Sequence, residues 1–224
     1  MIGIGITTRN RNNILKRNLS FFNRFMPPDV KFVIVDDASN IPFSDATFRF
    51  DTQQGIAKAK NKCFDLLQGC EHVFLFDDDC YPISKEWWIP YITNPEPHLM
   101  YIFDRFSNGQ KLSDCTIIYY DEHSIGYTHP RGCMLYYDMK VLGAIVRMDE
   151  RFKIWGWEHV NLSDKIFNNH FTTARYLDVR DSDKLIHSMD ESLEIKSSVG
   201  KEERMLHFKD NQELYNNLKY ATSK

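Results

Sequence analysis

Three consecutive carboxylates, Asp77, Asp78 and Asp79, follow the apolar run VFLF at residues 73–76. Four apolar residues in a row are typical of a short buried strand, and the carboxylates lie where that strand must end. In an extended segment residues i and i+2 point the same way, so Asp77 and Asp79 can bind one divalent cation while Asp78 turns aside. Their hard oxygens suit Mn²⁺ or Mg²⁺. A solvated acidic turn is the alternative, but α/β sheets bind ligands where their strands end, which favours the cation site.

A second acidic pair, Asp36 and Asp37, follows the apolar run FVIV at residues 32–35. Its carboxylates can hydrogen-bond a nucleotide base or a ribose. They can equally well cap an ordinary loop. The pair taken alone therefore supports both interpretations.

A predicted helix start contains Gly55, Lys58, Lys60 and Asn61. Cationic side chains and backbone amides at a helix N-terminus suit a phosphate group. A lysine on a helix is more often simply solvated, so this segment is a weak indication by itself.

Two tryptophans, Trp155 and Trp157, flank Gly156 and are followed by Glu158 and His159. Flat indole faces can stack on sugar rings, and the adjacent Glu and His can transfer protons. The alternative places the tryptophans in the core and makes Glu158 an ordinary first-turn helix acid. The order aromatic, glycine, aromatic, acid is hard to justify by packing alone, which favours a functional role.

His187 ends a predicted strand and precedes a polar loop. A lone histidine is more often structural than a ligand, but a mixed Asp and His site for Mn²⁺ is chemically reasonable. His187 is therefore a candidate metal ligand, and His207 is a weaker competitor.

The elements that must position these residues alternate between strand and helix. Residues 2–6 alternate isoleucine with glycine and predict a first strand, which ends in TTR at residues 7–9. A helix capped by Asn12 or Asn13 follows, and the strand at 32–35 completes a βαβ unit. The sheet is therefore predicted to be largely parallel, with the TTR, Asp-Asp and Asp-Asp-Asp segments on one edge.

The rest of the chain is predicted to continue with helices and strands. A helix from Ile56 ends near Gly69, while Ser84 caps a short helix that Pro90 ends or kinks. Asp138 caps another short helix, and the tail from residue 201 is helical in pattern. The other predicted elements are strands at 47–50, 99–103, 115–120, 132–137, 174–179 and 185–186, a turn at 107–109, and a helix from the tryptophan segment to about residue 169.

Composition narrows the class of protein. The chain has 224 residues, of which 42% are hydrophobic, and this length fits one domain with a sizeable core. A formal net charge of −3 argues against a dedicated nucleic-acid binder. The five cysteines form no CxxC pair, which indicates reduced thiols and a cytoplasmic location. The first residues form a strand without a basic region before it, and no apolar run is long enough for a transmembrane helix, so neither a signal peptide nor a membrane span is expected.

Taken together, these segments resemble the family 2-like GT-A glycosyltransferases over most of residues 1–190. The segments that carry the resemblance are IGITTRNR, VIVDDAS, GIAKAKN, LFDDDCYP, RGCMLYYD and GAIVRMDERFKIWGWEHVNLSDKI. Each is modest alone, and their order and spacing make the resemblance specific. It implies a single α/β domain over residues 1–224 of the GT-A fold with a mostly parallel central sheet. Residues 1–100 would bind the nucleotide sugar, 101–190 would form the acceptor and catalytic half, and 191–224 would be a helical tail.

The resemblance also implies a role for each matching residue. The donor would be a nucleotide-diphosphate sugar, expected to be a UDP-sugar, whose sugar passes to an acceptor hydroxyl. The stretch from His187 to Asp190 looks like the HS-containing segment of the galactosyltransferase and polypeptide N-acetylgalactosaminyltransferase branches, whose His completes the metal site. The implied donor-binding residues are Thr7, Thr8, Arg9, Asp36, Asp37, Lys58, Asn61, Asp77 and Asp78, the metal ligands are Asp77, Asp79 and His187, and the acceptor site is shaped by Trp155 and Trp157.

The sequence departs from this family at the catalytic position. Inverting members commonly have Glu-Asp where this chain has Glu158 and His159, and the Asp is typically the base. An imidazole titrates closer to neutral pH than a carboxylate, so His159 can accept the proton instead. Glu158 can also act as the base or bind the acceptor. Inversion is the implied stereochemical outcome.

Two other functions remain open from the sequence. The Asp77 and Asp79 pair is compatible with a phosphohydrolase that uses an Asp nucleophile, although such enzymes normally carry the motif on their first strand and a Thr soon after, where this chain has Tyr81. A non-catalytic sugar- or nucleotide-binding module is the other alternative. For a transferase, the acceptor could be a polysaccharide precursor, a protein, a small molecule or a hydroxylated DNA base.

Overall fold

A central sheet of six strands organises the computed structural model, which describes residues 1–112, 115–193 and 199–221. Its strands, with those of three smaller sheets, are β1 (Ile2–Thr8), β2 (Val30–Asp36), β3 (Phe48–Arg49), β4 (His72–Asp77), β5 (Cys80–Pro82), β6 (His98–Met100), β7 (Phe106–Ser107), β8 (Gln110–Lys111), β9 (Ile117–Tyr120), β10 (Ser124–Tyr127), β11 (Met134–Asp138), β12 (Leu177–Val179) and β13 (Ile186–Ser188). The α-helices are α1 (Asn12–Phe25), α2 (Ile56–Leu66), α3 (Ile89–Ile92), α4 (Met139–Leu142), α5 (Glu158–Asn168) and α6 (Lys201–Ala221).

The strand order of the central sheet is β3-β2-β1-β4-β11-β6. The first four strands run parallel to one another, and β11 is antiparallel to both β4 and β6. The predicted α/β architecture with a mostly parallel sheet is therefore confirmed. Thr7 on β1 lies beside Val35 on β2 and Asp77 on β4, so these three strands end at the same edge.

Both faces of the sheet are buried, which explains why its strands are continuously apolar. Ile4 and Phe74 point towards the core that contains Leu15 and Phe22 of α1. Val33, Val35 and Leu75 belong to a second cluster on the opposite face, under α2 and α5. The alternation of the pleat thus sends neighbouring residues of one strand into two separate cores.

Helix caps and breaks differ from prediction at three places. Neither Asn12 nor Asn13 caps α1: the capping position is Arg11, and the Asn12 amide instead donates to the Ile41 carbonyl at 3.0 Å. Ser84 caps no helix, because residues 84–88 form a bend and a turn before α3 begins. Pro90 does not end a helix, because it lies in the first turn of α3. A proline is tolerated there since the first turn needs no N–H for an intrahelical bond.

Other boundaries moved by a few residues. The helices predicted after Asp138 and after the tryptophan segment are confirmed as α4 and α5, and Asp138 accepts from the backbone of Lys140 and Val141. The predicted tail helix is α6, while residues 194–198 and 222–224 of that tail lie outside the described residues. Strands β5, β7, β8 and β10 were not predicted, although β7 and β8 flank the predicted turn at 107–109. Across the described ranges, no helix has the length and apolar character needed to span a membrane.

Close packing between β1 and α2 generates a testable consequence at Gly5. A Cβ on Gly5 would lie 2.8 Å from the Cys63 Cβ and 3.0 Å from the Leu75 Cδ2. We expect Gly5→Ala to lower the free energy of unfolding by about 1–3 kcal/mol, because the added methyl overpacks this interface. Urea denaturation followed by circular dichroism measures the change.

Gly200→Ala is the matched control, since a Cβ at Gly200 meets nothing within 4 Å. Its stability should stay within about 0.5 kcal/mol of the original protein. Equal stability of the two variants would contradict the tight β1–α2 contact.

Candidate active site

A cavity of about 980 Å³ opens at the edge where β1, β2 and β4 end. Most of the predicted site residues line it: Thr7, Thr8, Arg9, Asp37, Asp77, Asp78, Asp79, Trp155, Trp157, Glu158 and His159. Four others, Asp36, Lys58, Asn61 and His187, are not among the described residues that line this cavity. The structure thus brings together segments that are up to about 150 positions apart in the sequence, as expected where parallel strands end.

Two cations neutralise the acidic run. The Lys60 ammonium lies 3.0 Å from Asp77 Oδ1, and Arg11 pairs with both Asp78 and Asp79, the latter at 2.8 Å. Arg11 was missed in the sequence, where it stands in a polar segment without periodicity. Lys60 carried a detectable signal, because it falls on the otherwise apolar face of α2 beside Ala57 and Phe64.

Asp78 turns into the protein, as predicted for the middle acid. It is 1% exposed, and Thr8 Oγ1 donates to its Oδ2 at 2.7 Å. Burial raises the pKa of the Asp78 carboxyl, although the charge of Arg11 opposes the shift. Its contacts fasten the end of β4 to β1 and to the segment before α1. Its direct contact with a donor stays a prediction.

The predicted metal ligands match the chemistry of a hard cation but are not assembled around one position. No group of three His, Cys, Asp or Glu side chains within residues 1–112, 115–193 and 199–221 is placed to hold a metal ion. Asp77 and Asp79 are held by Lys60 and Arg11, and the His187 Nδ1 lies 3.2 Å from Glu191 Oε2. The oxygen donors fit Mn²⁺ or Mg²⁺ in kind. A cation would have to displace the Arg11 ion pair from Asp79.

Asp36 and Asp37 have separate tasks although they are adjacent. The fully buried Asp36 accepts from the backbone amides of Ser39 at 2.9 Å and Phe43 at 3.1 Å. Asp37 accepts from the backbone amides of Gln54 and Gly55 at 2.6 and 2.9 Å, and it lines the cavity. A base contact from this pair is therefore better placed at Asp37.

Lys58 and Asn61 are engaged in the protein's own structure. The Lys58 amine donates to Gln54 Oε1 at 2.7 Å. The Asn61 amide donates to the Met148 carbonyl and accepts from the Met148 amide, both at 2.9 Å. These bonds hold the segment around Met148 against α2. Neither side chain is among the described residues that line the cavity. Their contact with a sugar donor stays a prediction.

Glu158 and His159 form a hydrogen-bonded pair at the first turn of α5. His159 Nδ1 lies 3.2 Å from Glu158 Oε1, and a Cβ at Gly132 would come within 2.8 Å of that nitrogen. Burial raises the pKa of Glu158, but the His159 hydrogen bond and the charges of His159 and Lys60 lower it further than burial raises it. Glu158 is therefore ionised at neutral pH. A buried carboxylate that orients an imidazole facing a cavity is suited to proton transfer.

Lys60 links this pair to the acidic run. It is 1% exposed and donates to the Gly132 carbonyl at 2.6 Å as well as pairing with Asp77. Burial lowers the pKa of Lys60, but the charges of Asp77 and Glu158 outweigh that effect and raise it. The amine consequently stays protonated.

The tryptophan segment packs against α6, whose part in the site was not predicted. The Trp157 ring stacks on Tyr215 with centroids 4.8 Å apart, and Phe208 packs beside it at 5.4 Å. Arg204 lies over the Trp155 ring, 5.7 Å from its centroid. Both tryptophans line the cavity, but α6 covers part of their faces. Their predicted contact with an acceptor stays a prediction.

Comparison with known proteins gives no sequence relative. No protein-family model matches the chain, and no curated protein is significantly similar to it in sequence. Solved structures, in contrast, share its fold. GalNAc-T7, solved with UDP, GalNAc and Mn²⁺, matches with a TM-score of 0.62 at 12% identity, over 80% of this chain and 42% of that one.

Two further structures agree with this match. TarS from S. aureus (residues 1–349) has a TM-score of 0.58 at 14% identity, over 84% of this chain and 60% of that one. The mannosyltransferase PcManGT from Pyrobaculum calidifontis, solved with GDP-Man and Mn²⁺, has a TM-score of 0.56 at 14% identity, over 77% and 53%. The chain has the GT-A glycosyltransferase fold. It spans between 42% and 60% of the length of these three proteins.

The buried Lys60 generates a prediction for stability. Lys60→Met leaves Asp77 and the Gly132 carbonyl without their partner and removes the cation beside Glu158. We expect a loss of about 3 kcal/mol in the free energy of unfolding, at the low end for a broken buried pair, because water can still reach Asp77. Chemical denaturation measures it.

Lys16→Met, on the exposed side of α1, is the control and should leave stability unchanged. A loss at Lys60 no larger than at Lys16 would mean that the buried ion pair does not support the fold.

Proposed function

We propose that this protein is a metal-dependent glycosyltransferase that moves a sugar from a nucleotide-diphosphate donor to an acceptor hydroxyl with inversion. One observation carries the proposal: the acidic run at the end of β4 and the Glu158–His159 pair line the same cavity of a GT-A fold. The first supplies a site for a diphosphate with its cation, and the second supplies a base. A transfer reaction needs both groups in one space.

The donor end of the cavity lies over β1. Thr7 and Thr8 are the last two residues of that strand, Arg9 follows it, and Asp37 directly follows β2 beside them. Arg9 Nε is buried without a hydrogen-bond partner in the described part of the chain, so a bound anion would satisfy it. Two structures of this fold were solved with a nucleotide or nucleotide sugar and Mn²⁺, GalNAc-T7 and PcManGT. We therefore propose a UDP-sugar as the donor.

Asp77 and Asp79 are the proposed cation ligands, with Mn²⁺ or Mg²⁺ as the metal. His187 is the proposed third ligand, and its Nδ1 is oriented by Glu191, an arrangement common among metal-binding histidines. When bound, the cation offsets the negative charge that develops on the departing diphosphate. Arg11, released from Asp79, would remain beside the diphosphate as a second positive charge.

His159 is the proposed base for the acceptor hydroxyl. Glu158 is ionised and nearly buried, and it holds the Nδ1 side of the ring. The protonated imidazole that forms on proton transfer would be stabilised by this carboxylate. The acceptor itself stays open between a polysaccharide precursor, a protein, a small molecule and a hydroxylated DNA base.

Metal-dependent donor binding tests the role of Asp79. Asp79→Asn keeps the shape of the side chain but removes its charge, so we expect UDP-sugar binding to lose its dependence on Mn²⁺ and to weaken about 10- to 100-fold. Calorimetry with and without Mn²⁺, across a panel of nucleotide sugars, measures this. Asp45→Asn, at an exposed loop position, is the matched control. Unchanged Mn²⁺-dependent binding by the Asp79 variant would remove Asp79 from the metal site.

Turnover tests the proposed base. His159→Gln and Glu158→Gln should lower the rate of transfer by about 10²–10⁴-fold, the range for loss of general-base catalysis, while donor affinity stays unchanged. Release of UDP in the presence of an acceptor panel gives the rate. His170→Gln, on the exposed surface after α5, is the control.

Near-normal turnover by both variants would place the base elsewhere. Phosphate release from a simple phosphomonoester, without any nucleotide, would support the phosphohydrolase instead. Donor and metal binding without hydrolysis or transfer would support a binding module.

A further inference from the structure

The loop at residues 153–157 holds an unusual backbone conformation immediately before the catalytic pair. Ile154, Gly156 and Trp157 have φ values of 58°, 96° and 75°. A β-branched residue such as isoleucine rarely adopts a positive φ, so the residues of the loop do not by themselves favour this conformation. Trp157 occupies the capping position of α5, and no side chain caps that helix end. Contacts from elsewhere must therefore hold the loop.

Asn211 of α6 supplies the largest set of those contacts. Its Nδ2 lies 3.0 Å from each of three loop carbonyls, those of Lys153, Trp155 and Gly156. The amide has only two protons, so the three oxygens share one donor group and must converge on it. Asn211 is 4% exposed, so water cannot easily replace this donor.

Neighbouring contacts fix α6 against both the loop and α5. The Tyr215 hydroxyl donates to Asp164 on α5, and its ring stacks on Trp157. On the opposite side of the loop, the Ile56 amide at the start of α2 donates to the Ile154 carbonyl at 3.3 Å. The loop is thus held between α2 and α6, and Asn211 supplies the hydrogen bonds that attach it to α6.

We propose that Asn211 is a positioning residue for the reaction, acting through the loop on Glu158 and His159. The expected effect on turnover rests on the proposed function. The hydrogen bonds between Asn211 and the loop do not depend on the substrate. Loss of the shared donor lets the loop relax and moves the first turn of α5. The donor end of the cavity is built on β1 and β4 and does not touch Asn211 among the described contacts. Asn211 therefore affects turnover and not donor binding.

The test compares Asn211 with Asn216, which lies on the exposed side of the same helix. Asn211→Asp keeps the shape but cannot donate when ionised, and Asn211→Ala removes the group without adding charge. We expect both to lower turnover about 10- to 100-fold, as for a small misplacement of catalytic groups, with unchanged donor affinity by calorimetry. Asn216→Asp and Asn216→Ala should leave both quantities unchanged.

Hydrogen exchange read by mass spectrometry gives a second measurement that needs no substrate. Peptides covering residues 153–161 should exchange faster in the Asn211 variants, while peptides from β1 and β4 keep their protection. Turnover and loop exchange equal to those of the Asn216 controls would overturn the inference. So would faster exchange spread evenly over β1 and β4, because that indicates general destabilisation.

The two measurements separate this inference from the proposed function. If the original protein transfers no sugar to any acceptor, the proposed function fails, and the exchange comparison still decides whether Asn211 holds the loop. If Asn211→Asp does not fold, Asn211→Ala carries the same comparison without a buried charge.

Discussion

The buried ion pair between Lys60 and Asp77 is the interaction on which the arrangement of the candidate site depends. Asp77 and Glu158 belong to different halves of the chain, and both line one cavity. Two carboxylates that share a cavity repel each other unless a cation offsets their charge. Lys60 pairs with Asp77, donates to the Gly132 carbonyl and also interacts electrostatically with Glu158. The close approach of α2 to β1, which the absence of a side chain at Gly5 allows, delivers this lysine to the sheet edge.

The sheet edge could be predicted because the residues that mark each strand end are adjacent in the sequence. Each parallel strand is buried on both faces, so it appears in the sequence as an apolar run, and the polar residues that follow each run must lie at the strand end. That argument needs no knowledge of distant contacts. It placed these strand ends at one edge of the sheet, where Thr7, Asp37 and the acidic run line the same cavity. The sequence order of strand and helix then supplied the parallel arrangement.

The partners of those residues were not predictable, because they are far apart in sequence. Arg11 meets Asp79 across 68 positions, and Asn211 meets the Gly156 carbonyl across 55. Local periodicity contains no information on such pairs. Asp36 and Asp37 show a second limit: adjacent acids look alike in a sequence, but Asp36 at the end of β2 is fully buried, whereas Asp37 directly after it lines the cavity. Which carboxylate is structural is therefore decided by geometry.

In the tryptophan segment, packing against α6 and exposure to the cavity compete for the same aromatic surface. An indole ring has two faces, and stacking of Trp157 on Tyr215 uses one of them, so only the surface that α6 leaves uncovered faces the cavity. The same packing holds the loop whose carbonyls meet Asn211. The packing that holds this loop thus covers aromatic surface that would otherwise face the cavity. The shape of this end of the cavity depends on α6 as much as on the tryptophans, because Arg204 and Phe208 line the wall beside them.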